Sequence, residues 1–127
     1  MDEAPDLHVT LLLNIQRRRD DRTAKDELVH RFATRFWRSD WPGRRQPDVF
    51  YDPRSVDLDG PEGVLHAKAI VADDEIAFVT SANLTEAAFH RNIEAGVLTR
   101  DRGLAASLSL HFRVLIQRAL LLPLPNG

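Results

Sequence analysis

Apolar residues along the chain fall into short continuous runs and into longer stretches with helical spacing. The run "HVTLLLNI" (His8–Ile15) is continuous and contains β-branched residues, which is typical of a buried strand. "DVFYD" (Asp48–Asp52) and "EAGVLT" (Glu94–Thr99) are shorter runs of the same kind. Two further apolar runs flank the polar segment "ADDE" within Leu65–Thr85, which predicts a β-hairpin with its turn at that segment.

Other stretches predict helices. Leu28, Phe32 and Phe36 recur every four residues, which predicts an amphipathic helix over 25–38, and "WPG" then stops it. A short helix is expected over 86–91, and a long one over 104–122 with Asp101 as its N-cap. Because strands alternate with helices, the predicted class is α/β, with a mixed central sheet covered by helices on both faces.

The composition is that of one soluble globular domain. The 127 residues are enough for a single core, and 43% of them are hydrophobic and 28% charged. The chain has no cysteine, which excludes disulfides and thiolate zinc sites and favours a reducing cytosol. Its acidic start "MDEAPD" is unlike a secretory signal, and no apolar run is long enough to span a membrane. We therefore expect a cytoplasmic protein without a membrane partner.

Charge is distributed unevenly along the chain. The net charge is −2, but the segment 16–45 contains ten basic and five acidic residues and so has a charge of +5, which leaves −7 for the rest. A basic segment of this kind attracts polyanions, although solvated arginines alone give the same pattern. Five arginines of the segment are candidates for binding nucleic acid: Arg31, Arg35, Arg38, Arg44 and Arg45.

Four polar side chains lie at the end of the predicted hairpin opposite its turn. His66 and Lys68 are on the first strand, and Ser81 and Asn83 are on the second. A two-residue turn pairs His66 with Ser81, and a shift of one residue on each strand pairs it with Asn83; both registers place all four on one face. The helix over 86–91 directs its free N–H groups at the same place. This combination predicts a phosphate pocket and not a metal site.

His66 has chemistry beyond binding. Neutral imidazole is a nucleophile near neutral pH, and protonated imidazole is a general acid. Glu94, on the next predicted strand, is the best placed carboxylate to orient the ring. A core histidine beside a lysine with a buried stem is the alternative interpretation, and the convergence of the polar partners favours the site.

The same residues resemble the signature of the phospholipase D superfamily. Its pattern is His-x-Lys, four residues, Asp, six residues, then Gly-Ser-x-Asn. Here His66, Lys68 and Asp73 match, Ser81 and Asn83 follow at the right distance, and Glu94 stands where the family often has a further acid; Thr80 replaces the glycine. The resemblance implies a phospholipase D-like half domain that cleaves phosphodiesters in two steps without a metal or cofactor.

The resemblance also implies a role for each matched residue. His66 attacks phosphorus and forms a phosphohistidine, while a second histidine protonates the leaving oxygen and then activates water. Lys68, Asn83 and Ser81 hold the non-bridging oxygens, Glu94 orients His66, and Asp73 belongs to a supporting network. Because the chain has one His-x-Lys, the second histidine is expected from a homodimer or from a larger complex. Residues 1–127 are then one phospholipase D-like domain without the usual N-terminal strand and helix.

Three functions fit these features. The stretches "WPGRRQPDVFYDPRS", "LHAK" and "SANLTEAAFHRNIEAGVL" resemble the phospholipase D-like proteins of bacterial anti-phage defence, such as the DISARM system. Together with the basic segment and its two tryptophans, this favours a nuclease that acts on DNA or RNA in such defence. A lipid phosphodiesterase is the second hypothesis. A non-catalytic subunit that binds nucleic acid or regulates a defence complex is the third.

Overall fold

The computed structural model describes residues 1–58, 65–83 and 90–126. The chain forms two compact units. The first comprises Met1–Leu65 and returns at Arg118–Gly127, and the second comprises His66–Gln117. That the two units act as one domain stays a prediction.

The first unit contains a three-stranded sheet built on a parallel βαβ crossover. The strand β1 (Thr10–Leu13) pairs in parallel with β2 (Asp48–Tyr51), and β2 pairs antiparallel with the short β6 (Leu122–Pro123). The helix α1 (Lys25–Arg35) connects β1 to β2 and continues into a π-helical turn (Phe36–Asp40). A 3₁₀ turn (Pro53–Val56) follows β2.

The core of this unit lies between α1 and its sheet. It consists of the apolar face predicted for α1 together with residues from the strands and the loops beside them: Ile15, Leu28, Val29, Ala33, Phe36, Val49, Tyr51, Val56 and Leu124. Trp37 and Trp41 pack against this cluster. Trp37 Nε1 donates to the carbonyl of Pro125 at 2.8 Å, and Trp41 Nε1 donates to that of Arg45 at 3.0 Å. Both indoles are therefore partly buried against the core, with their N–H groups bonded to backbone carbonyls of the first unit.

The second unit is a three-stranded antiparallel sheet with one helix. Its strands are β3 (Ala69–Ala72), β4 (Ile76–Thr80) and β5 (Gly96–Thr99), in that order across the sheet. The helix α2 (Arg102–Gln117) packs on β3 and β4. The backbone N–H of Leu104 donates to Oδ1 of Asp101 at 3.1 Å, which confirms Asp101 as the residue that caps this helix.

The structure differs from the predicted architecture in two respects. The described strands form two three-stranded sheets instead of one central sheet. In addition, α2 ends at Gln117 rather than at 122, because Ala119 adopts a left-handed φ of 53° and Leu122 pairs with Tyr51. The helix predicted over 86–91 lies almost wholly outside the described residues. Coverage of a sheet by helices on both faces stays a prediction.

Candidate active site

The hairpin that holds the candidate residues has a three-residue turn. Ala72 pairs with Ile76, which leaves Asp73, Asp74 and Glu75 between the strands. Asp73 and Asp74 adopt left-handed φ values of 54° and 56°, and the N–H of Glu75 donates to the carbonyl of Ala72 at 2.9 Å. Aspartate tolerates this conformation better than most residues do. The acidic pair "DD" is therefore what allows the tight reversal.

The turn length changes the pairing at the other end of the hairpin. Thr80 N–H donates to the carbonyl of Lys68 at 3.0 Å, so Lys68 lies opposite Thr80 and not opposite Ser81. Neither predicted register is the observed one. Both predicted registers fail because the observed turn has three residues rather than two. Ser81 and Asn83 lie beyond the end of β4 at Thr80, so the pairing of β3 with β4 assigns them no face. That the four polar side chains share one face stays a prediction.

Ser81 and Glu94 nevertheless meet, because the chain leaves β4 at Thr80 and runs beside the segment that enters β5. The Ser81 hydroxyl donates to Oε2 of Glu94 at 2.5 Å and accepts the Ala95 N–H at 3.2 Å. Asn92 Nδ2 donates to Oε1 of Glu94 at 3.0 Å. These bonds from Ser81 and Asn92, and the positive charge of Lys68, lower the pKa of Glu94. The carboxylate is thus held ionised between two donors.

Asn92 is a member of this cluster that the sequence analysis missed. It precedes Glu94 by two residues, and side chains at this spacing share a side of an extended chain. An amide two residues before a predicted site acid was therefore the available signal. With Asn92 included, each oxygen of Glu94 has a donor.

His66 and Lys68 lie just before β3. The His66 side chain is exposed, and Lys68 Nζ donates to the carbonyl of His66 at 2.8 Å. Among the described contacts, the Glu94 oxygens are bonded to Ser81 and Asn92 and not to His66. Its role in orienting His66 therefore stays a prediction. Asn83 is exposed two residues after Ser81.

Asp73 is not brought to this cluster. It lies in the turn at the far end of β3, five residues from Lys68. An extended strand advances about 3.3 Å per residue, which separates the two positions by about 16 Å. Asp73 cannot contact a phosphate group that Lys68 holds. The neighbouring Asp74 and Glu75 pair with Arg113 and Arg102 of α2 at 3.0 and 2.7 Å, so the turn fixes the hairpin to the helix.

The five candidate nucleic-acid arginines are in the first unit, and three of them have internal partners. Arg31 pairs with Asp21 at 3.0 Å and Arg35 with Asp40 at 3.2 Å. Arg45 Nη1 donates to three carbonyls of the N-terminal segment. Arg38 and Arg44 are exposed. The segment is thus in part a set of structural contacts, although Arg31, Arg35 and Arg38 also line a shallow depression along α1.

A metal-binding cluster and a membrane-spanning helix are both absent from the described residues. No three histidine, aspartate or glutamate side chains among them are grouped in a way that could hold a metal ion. No described helix is both long enough and apolar enough to cross a bilayer.

The matched family model and the relatives named below are all described as cardiolipin synthases. The family model "Cardiolipin synthase, PLD-like domain" matches residues 6–116. Cardiolipin synthase 2 of Staphylococcus epidermidis is 42% identical over 50 residues, which are 39% of this chain and 10% of that protein. Cardiolipin synthase A of Pseudomonas putida and that of Pseudomonas entomophila are each 44% identical over 43 residues, which are 34% of this chain and 9% of each relative. No solved structure matches with significance.

The family model extends well beyond the hairpin motif, although the chain aligns with only about a tenth of each curated relative named above. The family model spans the second unit up to Ile116 and most of the first. The chain therefore belongs to the family of cardiolipin synthase PLD-like domains, within the phospholipase D superfamily.

Proposed function

We propose that this chain provides one half of a phosphodiesterase site in which His66 is the nucleophile. The supporting observation is the grouping of an exposed His66, the adjacent Lys68 and the Ser81–Glu94 pair at one end of one hairpin. In the first step a ring nitrogen of His66 attacks phosphorus and the bond from phosphorus to the leaving oxygen breaks. A second histidine protonates that oxygen. It then removes a proton from the water that attacks the phosphohistidine and frees His66.

The other residues have electrostatic and positioning roles in this scheme. Lys68 and Asn83 hold the non-bridging oxygens, where negative charge grows in the transition state. Ser81 was also expected to hold phosphate, but its hydrogen is directed at Glu94 and its oxygen accepts from Ala95. We therefore assign Ser81 to the support of Glu94. Glu94 in turn holds negative charge near Lys68.

The second histidine is proposed to come from another copy of the chain. The chain has one His-x-Lys, and a two-fold pairing puts two identical His66 side chains at one site. A larger complex that supplies a second motif is the alternative source. Mixing the wild-type chain with an inactive variant distinguishes the two sources, because a homodimer with one inactive copy has no complete site.

A phospholipid phosphodiester is the substrate we favour. The matched relatives are named cardiolipin synthases. In addition, Arg31, Arg35 and Arg45 have partners within the first unit, and the tryptophans expected to stack bases pack against its core. The nuclease expected from the sequence, with its place in cytoplasmic anti-phage defence, is the second candidate. It is supported by the arginines that line the depression on α1. A non-catalytic subunit is the third.

The test compares three substrates in EDTA, which removes contaminating metal-dependent nucleases. The purified chain is incubated with phosphatidylglycerol vesicles, plasmid DNA and single-stranded DNA. We expect phospholipid turnover that falls at least about a hundredfold in His66→Ala and is unchanged in the matched control His111→Ala, an exposed histidine of α2. DNA cleavage that depends on His66 supports the nuclease instead. Salt-sensitive DNA binding without turnover supports the third candidate, and turnover that survives His66→Ala contradicts the proposal.

Mixing wild type with His66→Ala tests the source of the second histidine. If two copies form the site, activity falls as the square of the wild-type fraction and reaches about a quarter when both are present in equal amounts. A linear fall to one half shows that each chain works without a second copy's His66.

A further inference from the structure

Thr80 occupies the position at which the superfamily pattern has glycine, and it is the last residue of β4. Its backbone connects the candidate site to both neighbouring strands. The Thr80 N–H donates to the carbonyl of Lys68 at 3.0 Å, and Gly96 of β5 is its partner on the other side. Thr80 therefore lies between Lys68 and Gly96 in a row of three residues across the sheet.

The Thr80 hydroxyl closes the segment that follows it. It donates to the carbonyl of Ala95 at 3.1 Å and accepts the N–H of Ala82 at 3.1 Å. One bond connects β4 to the segment entering β5, and the other fixes the chain between Ser81 and Asn83. A glycine at this position can make neither bond.

The space for this side chain is provided by Gly96. A Cβ atom placed on Gly96 would lie 3.0 Å from Cβ of Thr80 and 2.8 Å from Cε2 of Phe78. Both distances are shorter than ordinary van der Waals contact. In the observed backbone geometry, a side chain at position 96 would therefore be crowded against Thr80 and Phe78.

We propose that Thr80 is a positioning residue for phosphate binding, and this rests on the proposed function. Its hydroxyl holds the backbone of Ala82 in place, which fixes Ser81 against Glu94 and sets the direction from which Asn83 approaches the phosphate. The residue acts through these neighbours and does not itself touch the substrate.

The experiment compares Thr80→Val with Thr80→Ser. Valine retains the shape without the hydroxyl, and serine retains the hydroxyl. Affinity for inorganic phosphate is measured by NMR titration, and exchange of the Ala82 amide is measured in the same samples. We expect Thr80→Val to weaken phosphate binding about tenfold and to exchange the Ala82 amide about tenfold faster, as the loss of one or two hydrogen bonds implies. Thr80→Ser should remain within about threefold of wild type in both measurements.

Three results overturn the inference: wild type that binds no phosphate, Thr80→Val with wild-type phosphate affinity, and equal loss of affinity in the valine and serine variants. Failure of the proposed function has a different signature. In that case wild type binds phosphate but turns over no phosphodiester, or His66→Ala retains turnover.

Discussion

The Ser81 hydroxyl donates to Oε2 of Glu94 at 2.5 Å, and Asn92 donates to the other oxygen of the same carboxylate at 3.0 Å. Both donors stabilise the ionised form, and the pKa of Glu94 is lowered as a result. A glutamine at position 94 keeps the shape but loses the charge, and its amide nitrogen cannot accept a hydrogen bond.

We expect Glu94→Gln to lower turnover about tenfold, because one donor loses its acceptor and Lys68 loses a nearby negative charge. The matched control is Glu75→Gln, which removes an acid of the same hairpin that pairs with Arg102 at the opposite end. It should retain activity within about twofold. Equal losses in the two variants show that charge on the hairpin in general, rather than the Ser81–Glu94 pair, is responsible.

For Asp73, in contrast to Glu94, we expect substitution to have little effect on turnover. It matches the family signature, yet it lies in the turn about 16 Å along the strand from Lys68. We expect Asp73→Asn to retain turnover within about threefold, because asparagine also tolerates the left-handed conformation that this position adopts. Asp73→Val, which resists positive φ, should destabilise the hairpin by about 1–2 kcal/mol in urea unfolding. A loss of turnover above about tenfold in folded Asp73→Asn contradicts this assignment.

The secondary structure was largely predictable from the sequence, and the three-dimensional pairing was not. The spacing of Leu28, Phe32 and Phe36 predicts α1, and the apolar run after His8 predicts β1, because burial of one face requires those patterns. The hairpin was also predicted. Its register was not, since "ADDE" is compatible with two or three turn residues, and one residue of difference changes which residues of the two strands lie opposite each other.

The end of α2 and the partners of the basic segment's arginines were also not predictable from the sequence. α2 ends at Gln117 because Leu122 pairs with Tyr51, a residue far away in the chain, and no local signal shows this. Arg45 was expected at a nucleic-acid surface but donates to carbonyls near the N-terminus. Composition shows that a segment is basic, but only the fold shows which of its charges have partners.

Asp101 provides a stability prediction for the second unit. Its Oδ1 accepts the N–H of Leu104, and its carbonyl accepts that of Ala105 as the first bond of α2. We expect Asp101→Ala to lower the free energy of unfolding by about 1 kcal/mol, and Asp101→Asn to lower it by less, since asparagine is also a good N-cap. Urea unfolding followed by circular dichroism measures both. A loss that is the same in both variants shows that negative charge at the helix end matters more than the cap bond.

The pH dependence of stability in the first unit should depend on Asp21. Its carboxylate accepts from Thr23 and from Arg31, and these bonds lower its pKa from 3.8 to about 2. A carboxyl group with a lowered pKa stabilises the fold above its ordinary pKa, and this contribution disappears as the pH falls through the folded value. We therefore expect wild type to be more stable than Asp21→Asn at pH 6, with a difference that shrinks between about pH 4 and pH 2.

Chemical unfolding at a series of pH values measures that difference. Asp20→Asn is the control, because Asp20 is an exposed neighbour of the same charge. This variant measures the effect of losing one negative charge beside Asp21. A difference between wild type and Asp21→Asn that is constant from pH 6 to pH 2 contradicts the pKa assignment, since only a titrating group makes stability depend on pH.

Gly96 gives a prediction about packing that opposes the usual effect of the substitution. Replacing a strand glycine by alanine commonly stabilises a protein, because it reduces the freedom of the unfolded chain. Here an added Cβ would lie 2.8 Å from Cε2 of Phe78, whose ring crosses the glycine. We expect Gly96→Ala to destabilise the second unit by about 1–3 kcal/mol, as overpacking does. Urea unfolding of the single variants and of the double variant with Phe78→Leu measures the contribution of the ring, because leucine has no atoms at the ε and ζ positions. If the contact with Phe78 is the cause, the double variant is more stable than the sum of the single losses by about 1 kcal/mol; purely additive losses place the cause at the Thr80 contact instead.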